Sequence, residues 1–155
     1  MEIVLLIGLQ GSGKSTFYRS RFASTHVLVS KDLLRNNRRP QRRQMKLIEE
    51  ALGEGRSVVV DNTNPTPEDR APIIAAARAF GAEVVGFVFD VPFDECLERN
   101  RGRVGRAQVP DAALYITRAR MRRPTVDEGF DRLHRVSTAP GDEFTIEGHA
   151  EEGSR

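Results

Sequence analysis

The residues best equipped for chemistry stand near the start of the chain. Residues 8–15 read Gly-Leu-Gln-Gly-Ser-Gly-Lys-Ser, a spacing of glycines, lysine and hydroxyl that wraps backbone N–H groups around phosphate oxygens. The run follows an apolar stretch and opens onto a helical pattern, whose N-terminus adds its own attraction for anions. In this reading Gly11, Ser12, Gly13, Lys14, Ser15 and Thr16 hold a nucleoside triphosphate. Lys14 reaches the β and γ phosphates and Ser15 places its hydroxyl on Mg²⁺. ATP and Mg²⁺ are the expected cofactors.

Two carboxylates follow, each directly after an apolar run. Asp32, in Val29-Ser30-Lys31-Asp32-Leu33-Leu34-Arg35, falls at the C-terminal edge of a strand, where open α/β folds bind ligands. It can orient an acceptor hydroxyl and take its proton, or simply cap the turn that follows. Asp61, in Val58-Val59-Val60-Asp61-Asn62-Thr63-Asn64, can hold Mg²⁺ through water or anchor an arginine in an acceptor pocket. Asn62 and Asn64 beside it contact the substrate or only stabilise the loop. There is no Asn-Lys-x-Asp guanine-reading motif, and the chain is too short for a motor. Kinase is the leading class.

These groups need a scaffold that brings strand ends together. Apolar runs at 3–8, 26–30, 57–61, 83–90 and 133–137 alternate with helical patterns at 14–23, 41–53, 67–80, 93–101 and 110–122. That alternation predicts an α/β fold with a parallel sheet. The runs lack polar/apolar alternation, as strands covered on both faces do. Thr66 before Pro67-Glu68-Asp69 predicts a capped helix start, and Gly81 its stop. Cys96 and Phe17, Phe22, Phe80, Phe87 and Phe89 are read as packing residues, and His26, His134 and His149 form no constellation.

Length and composition bound the rest. At 155 residues the chain fits one domain, placed at 1–140, with 141–155 an acidic tail that adds at most a short strand at 144–146 and carries no expected function. No apolar run approaches a membrane span, no leader-like N-terminus is present, and a lone Cys96 suits a reducing compartment. A cytoplasmic protein that does not engage membranes is the expectation. Of 24 basic residues 21 are Arg, and seven basic residues lie from Lys31 to Lys46 against one acid. That run, and the cluster of Arg118, Arg120, Arg122 and Arg123, line a groove for a polyanion or form solvated faces.

Taken in order, GLQGSGKST, KDLLR, VVVDNTNPTPEDR, CLERNRGR, a basic segment followed by Val109-Pro110, and EGFDRL span most of residues 1–137. This text resembles the kinase domain of the polynucleotide 5′-hydroxyl kinases, within the P-loop kinases. The resemblance implies a five-stranded parallel sheet in the order 2-3-1-4-5, flanked by helices and topped by an Arg-rich lid at about 99–110. It implies that Asp32 activates a 5′-hydroxyl, that Arg35 binds the phosphate on the 3′ side of the acceptor nucleotide, and that Asp61 shares their pocket. A lid arginine closes over the ATP phosphates: Arg106 by this reading, Arg103 as the alternate, with Arg99 against adenine. The activity implied is transfer of the γ-phosphate of ATP to the 5′-hydroxyl end of DNA or RNA. No Asp-x-Asp-x-Thr/Val phosphatase motif occurs, so a partner protein would supply a phosphatase or ligase step. The competing readings are a kinase of a small-molecule hydroxyl and a non-catalytic ATP-binding regulatory module.

Overall fold

The computed structural model describes residues 1–139 and 143–148, apart from the side chains of Arg106 and Ala139. Strand β1 (Glu2–Ile7) leads through the glycine-rich loop into α1 (Lys14–Arg21), then β2 (Val27–Val29), α2 (Pro40–Gly53), β3 (Val58–Asp61) and α3 (Pro67–Ala79). The second half runs β4 (Glu83–Phe89), α4 (Phe93–Arg101), α5 (Asp111–Arg120), β5 (Arg132–Ala139) and β6 (Glu143–Gly148). Short 3-10 turns at Lys31–Leu34, Gly105–Ala107 and Val126–Glu128 interrupt the connections. The sheet order is β2-β3-β1-β4-β5-β6, which contains the expected 2-3-1-4-5 order.

Strand alternation explains the layers. Ile3, Leu5 and Ile7 face one side of β1, with Val58 and Val60 of β3, and pack under α2 and α3 through Ile48, Leu52, Ile73 and Ala77. Val4, Leu6 and Val59 face the other side and pack against Phe17 of α1, Phe87 and Phe89. Both faces are covered, so the central strands are apolar throughout. Thr66 caps α3 as its sequence predicts: its hydroxyl accepts from Asp69 N at 3.1 Å. Phe17, Phe87 and Phe89 are core and Phe22 packs beside them, whereas Phe80 is 40% exposed because it lies past the last turn of α3. Cys96 is fully buried, and burial pushes its thiol up, away from reactivity. Among the described residues no helix is long and apolar enough to cross a membrane.

The sheet departs from the five-stranded expectation at one edge. β5 runs two residues past the predicted run, and β6 pairs with it antiparallel, Val136 opposite Ile146 and Thr138 opposite Phe144. Alternate β6 residues Phe144 and Ile146 turn toward the core cluster around Phe17, which explains why a segment of acidic composition forms a strand. The hairpin covers an edge that β5 would otherwise expose. Residues 149–155 of the expected tail lie outside the described residues.

Candidate active site

The phosphate loop forms where β1 stops and α1 starts. Gly11 (φ 78°) and Gly13 (φ 98°) adopt the left-handed conformation, and a Cβ on Gly11 would sit 2.5 Å from the Cys96 carbonyl oxygen, so this turn admits only glycine. Gly13 takes the N-cap position without a side-chain cap, leaving the first N–H groups of α1 open to an anion. Lys14 is buried, and its Nζ donates to the Gly8 (2.9 Å) and Leu9 (2.8 Å) carbonyls. Ser12 is 1% exposed, and its Oγ has no hydrogen-bond partner among the described residues. A phosphate oxygen answers that need.

Asp61, at the end of β3, accepts from Ser15 Oγ at 2.8 Å. The pair fits Mg²⁺ delivered with a triphosphate: one hydroxyl and one carboxylate from the protein, the remaining positions from phosphate and water. Among the described residues there is no group of three or more metal-ligating acids, histidines and cysteines. Burial lowers the Lys14 pKa to about 8, with Asp61 and Asp32 opposing that shift and Arg103 adding to it. The free site therefore loses its ammonium charge above about pH 8, while bound phosphates hold the proton on. Affinity for a nucleoside triphosphate is expected to fall about ten-fold for each pH unit above that value, with close to one proton taken up on binding. Calorimetry in buffers of different ionisation enthalpy checks this, and affinity that stays flat to pH 9.5 would contradict it. Lys14→Arg should remove the dependence.

The acceptor side is a polar pocket of about 290 Å³ between β2, α2, the loop after β3, and the lid. Asp32, Arg35, Asn62 and Asn64 all line it, together with Lys31, Gln10, Arg103 and Arg120. Ser30, not Asp32, caps the 3-10 turn, its Oγ accepting from Asp32 N at 3.2 Å. The Asp32 carboxylate is thus left for other work: it is 82% exposed and stands 3.7 Å from Arg35. Asn62 positions this turn, accepting from Lys31 N (2.9 Å) and donating to Gln44 Oε1 of α2 (2.6 Å). Asn64 (φ 46°) donates to the Leu6 carbonyl at 2.9 Å and is 4% exposed, so its amide holds the loop to β1.

The segment expected to act as a lid leaves α4 as a loop with tied ends. Buried Asn100 donates to the Val109 carbonyl (2.7 Å) and accepts from Val109 N (3.0 Å), and Arg101 pairs with Asp111 at 2.7 Å. Arg103 lines both the acceptor pocket and a second pocket of about 310 Å³ beside the phosphate loop. The side chain of Arg106 lies outside the described residues. Arg99 and Phe144 line the second pocket with Gly11, Gly13, Thr16 and Thr138. A planar base entering there meets a guanidinium and an aromatic ring, both of which stack on π faces. The other arginine cluster does not stay together: Arg120 reaches the acceptor pocket, Arg118 lies 3.9 Å over the Phe93 ring, and Arg123 pairs with Asp90 at 3.8 Å.

The profile of the AAA domain family matches residues 3–124. The chain belongs to this family. It is also 33% identical over 141 residues to the bifunctional polynucleotide phosphatase/kinase of Schizosaccharomyces pombe, covering 87% of this chain and 33% of that protein. Among solved structures, a chain of a Pnkp1/Rnl/Hen1 complex superposes with a TM-score of 0.56 at 24% identity, over 68% of this chain and 40% of that one. A gluconokinase from Sinorhizobium meliloti 1021 superposes at 0.61 with 21% identity, over 88% and 82%. The structural likenesses establish a P-loop kinase fold. The chain spans a third or less of the curated relatives it matches.

Within this AAA-family domain, sequence reading missed several residues of the site. Gln10 lines the acceptor pocket, donating through Nε2 to Thr117 at 3.0 Å with its Oε1 buried and unpartnered among the described residues. Its position inside the phosphate loop was the only available signal. Asn100 gave no signal and Phe144 only that of the short strand at 144–146, which β6 bears out, because their roles arise from contacts made after the chain has folded.

Proposed function

We propose that the domain transfers the γ-phosphate of ATP to the 5′-hydroxyl end of a DNA or RNA strand. The observation that carries this is the pairing of Asp32 and Arg35 in one pocket facing the phosphate loop. It provides a carboxylate for a hydroxyl and a guanidinium for a phosphate, the two groups a polynucleotide end presents together. The identity to a polynucleotide phosphatase/kinase supports the same reading.

In the reaction, Asp32 orients the acceptor hydroxyl and takes its proton while the 5′-oxygen attacks the γ-phosphorus in line. The bond to the β-phosphate oxygen breaks, and ADP leaves. Lys14, Arg103 and the N–H groups of the loop, with Ser12 Oγ, offset the charge on the phosphoryl oxygens. Ser15 and Asp61 would hold Mg²⁺, which would supply positive charge to offset that of the phosphates. Arg99 and Phe144 flank the base of ATP. A partner supplying the phosphatase or ligase step belongs to the same proposal.

The test is transfer of γ-³²P from ATP to a short 5′-hydroxyl DNA and the matching RNA, with gluconate and other sugar hydroxyls as competing acceptors. Label on either oligonucleotide, absent when its 5′ end is already phosphorylated, is the expected result. Label on a small molecule alone would make the domain a small-molecule kinase. Bound ATP without transfer to any acceptor would leave a nucleotide-binding module.

A further inference from the structure

Just past the acceptor pocket the chain builds a second cationic feature that the transfer step does not use. Asn37, Arg38, Arg39, Arg42, Arg43 and Lys46 line a cavity of about 400 Å³ around the first turns of α2. No carboxylate lines it, and none of its five cations forms an ion pair among the described residues. Several arginines elsewhere are matched to carboxylates: Arg70 to Glu128, Arg78 to Asp131, Arg101 to Asp111, Arg132 to Glu83 and Arg135 to Glu147. Five like charges around one cavity raise each other's electrostatic energy, and Glu49, which borders the adjoining groove, pairs with none of them, so the cluster is poised for a polyanion from outside. The α2 N-terminus, with Arg39 at the N-cap and no side-chain cap, adds to the same field.

Placement narrows the ligand. Arg35 lies in the acceptor pocket and Arg38 in the cradle, and three residues of chain keep their Cα atoms within about 11 Å. A phosphodiester backbone that leaves the pocket after its first phosphate meets the cradle next. Two residues before Arg35 stands Leu33, 68% exposed on the turn that carries Asp32, an apolar surface for the face of an unpaired base. No aromatic side chain lines the cradle, so it tracks phosphates without reading bases.

We infer that the Arg38–Lys46 cradle, residues 38–46 at the start of α2, is a binding site for the backbone of a single-stranded nucleic acid, engaging phosphates downstream of the nucleotide held at Arg35. The inference rests on the polynucleotide reading of the acceptor pocket, and it makes strand length a determinant of affinity.

The experiment compares wild type with Arg42→Gln/Arg43→Gln/Lys46→Gln, using fluorescence anisotropy of single-stranded 12-mers of DNA and RNA already carrying a 5′-phosphate, across a salt series. Phosphorylated probes report binding without requiring transfer, so this arm stands even if the acceptor proves to be a small molecule. The triple variant is expected to bind about ten-fold or more weakly at low salt, with a salt slope smaller by about 2. Nucleotide affinity, measured separately, reports that its fold is intact. In transfer assays the KM for a 5′-hydroxyl 12-mer should lie well below that for a dinucleotide in wild type, and the gap should close in the variant. Equal binding and equal salt slopes for wild type and variant would overturn the cradle while leaving the acceptor pocket untouched. Displacement of the 12-mer by polyglutamate as readily as by DNA or RNA would also overturn it, in favour of an acidic protein.

Discussion

Replacing Asp32 with asparagine is expected to slow phosphoryl transfer by about 10²–10⁴-fold with little change in nucleotide affinity. The substitution keeps the shape of the side chain and removes its ability to take a proton. The fold has no stake in the carboxylate: the 3-10 turn is capped by Ser30, and Asp32 is 82% exposed. Nor does it contact the phosphate loop, whose lysine is held by the Gly8 and Leu9 carbonyls. Single-turnover transfer and calorimetric binding of ATP separate the two effects. Turnover at the wild-type rate would remove Asp32 from the chemistry and leave the pocket as a binding feature.

The largest effect on stability is expected from Arg70→Met. Arg70 is the largest fully buried side chain among the described residues. Its Nε and Nη2 meet Glu128 at 2.8 and 3.1 Å, Nη1 donates to the Asn64 carbonyl at 2.8 Å, and Nη2 also donates to the Arg122 carbonyl at 3.1 Å. Removing one partner of such a pair leaves a carboxylate with only the Thr125 N–H and two carbonyls without their donor, which costs about 3–5 kcal/mol. For a domain of this size the melting temperature should drop by about 10 °C. Arg78→Met serves as the control: Arg78 and Asp131 are 47% and 38% exposed, and such surface pairs contribute about 1 kcal/mol or less. Equal losses from both variants would show that the Arg70 network is not a distinct source of stability. The network also fixes the carbonyl of Asn64, whose amide ties the loop after Asp61 to β1. Loss of stability and misplacement of that acceptor-pocket wall should therefore appear together.

The parts legible in the sequence are those that local chemistry dictates. The phosphate loop needs left-handed backbone at fixed positions, and glycine at Gly11 and Gly13 meets that need wherever the chain goes next. Apolar runs bounded by turn residues mark β1, β3 and β4, and Thr66-Pro67 marks the start of α3 through a cap contained within four residues. Asp32 and Asp61 could be singled out because a carboxylate at a strand's C-terminal end falls on the ligand-binding edge of any parallel sheet.

What only the tertiary structure decided depends on residues far apart in the chain. Phe144 reaches the phosphate loop because β6 pairs with β5, a match of edge hydrogen bonds that an acidic composition does not advertise. Arg70 reads as one more surface cation until Glu128 and two backbone carbonyls, 52 and 6 residues away, converge on it. The arginines at 118–123 read as one patch, yet the helical turn and its exit send Arg118 onto Phe93, Arg120 into the acceptor pocket and Arg123 toward Asp90. Arg103 stands out from its neighbours because a loop closed by Asn100 holds it at the junction of two pockets. Sequence specifies which groups can carry charge, donate or turn the chain. Which of them meet depends on pairings across tens of residues, and local pattern holds no record of those.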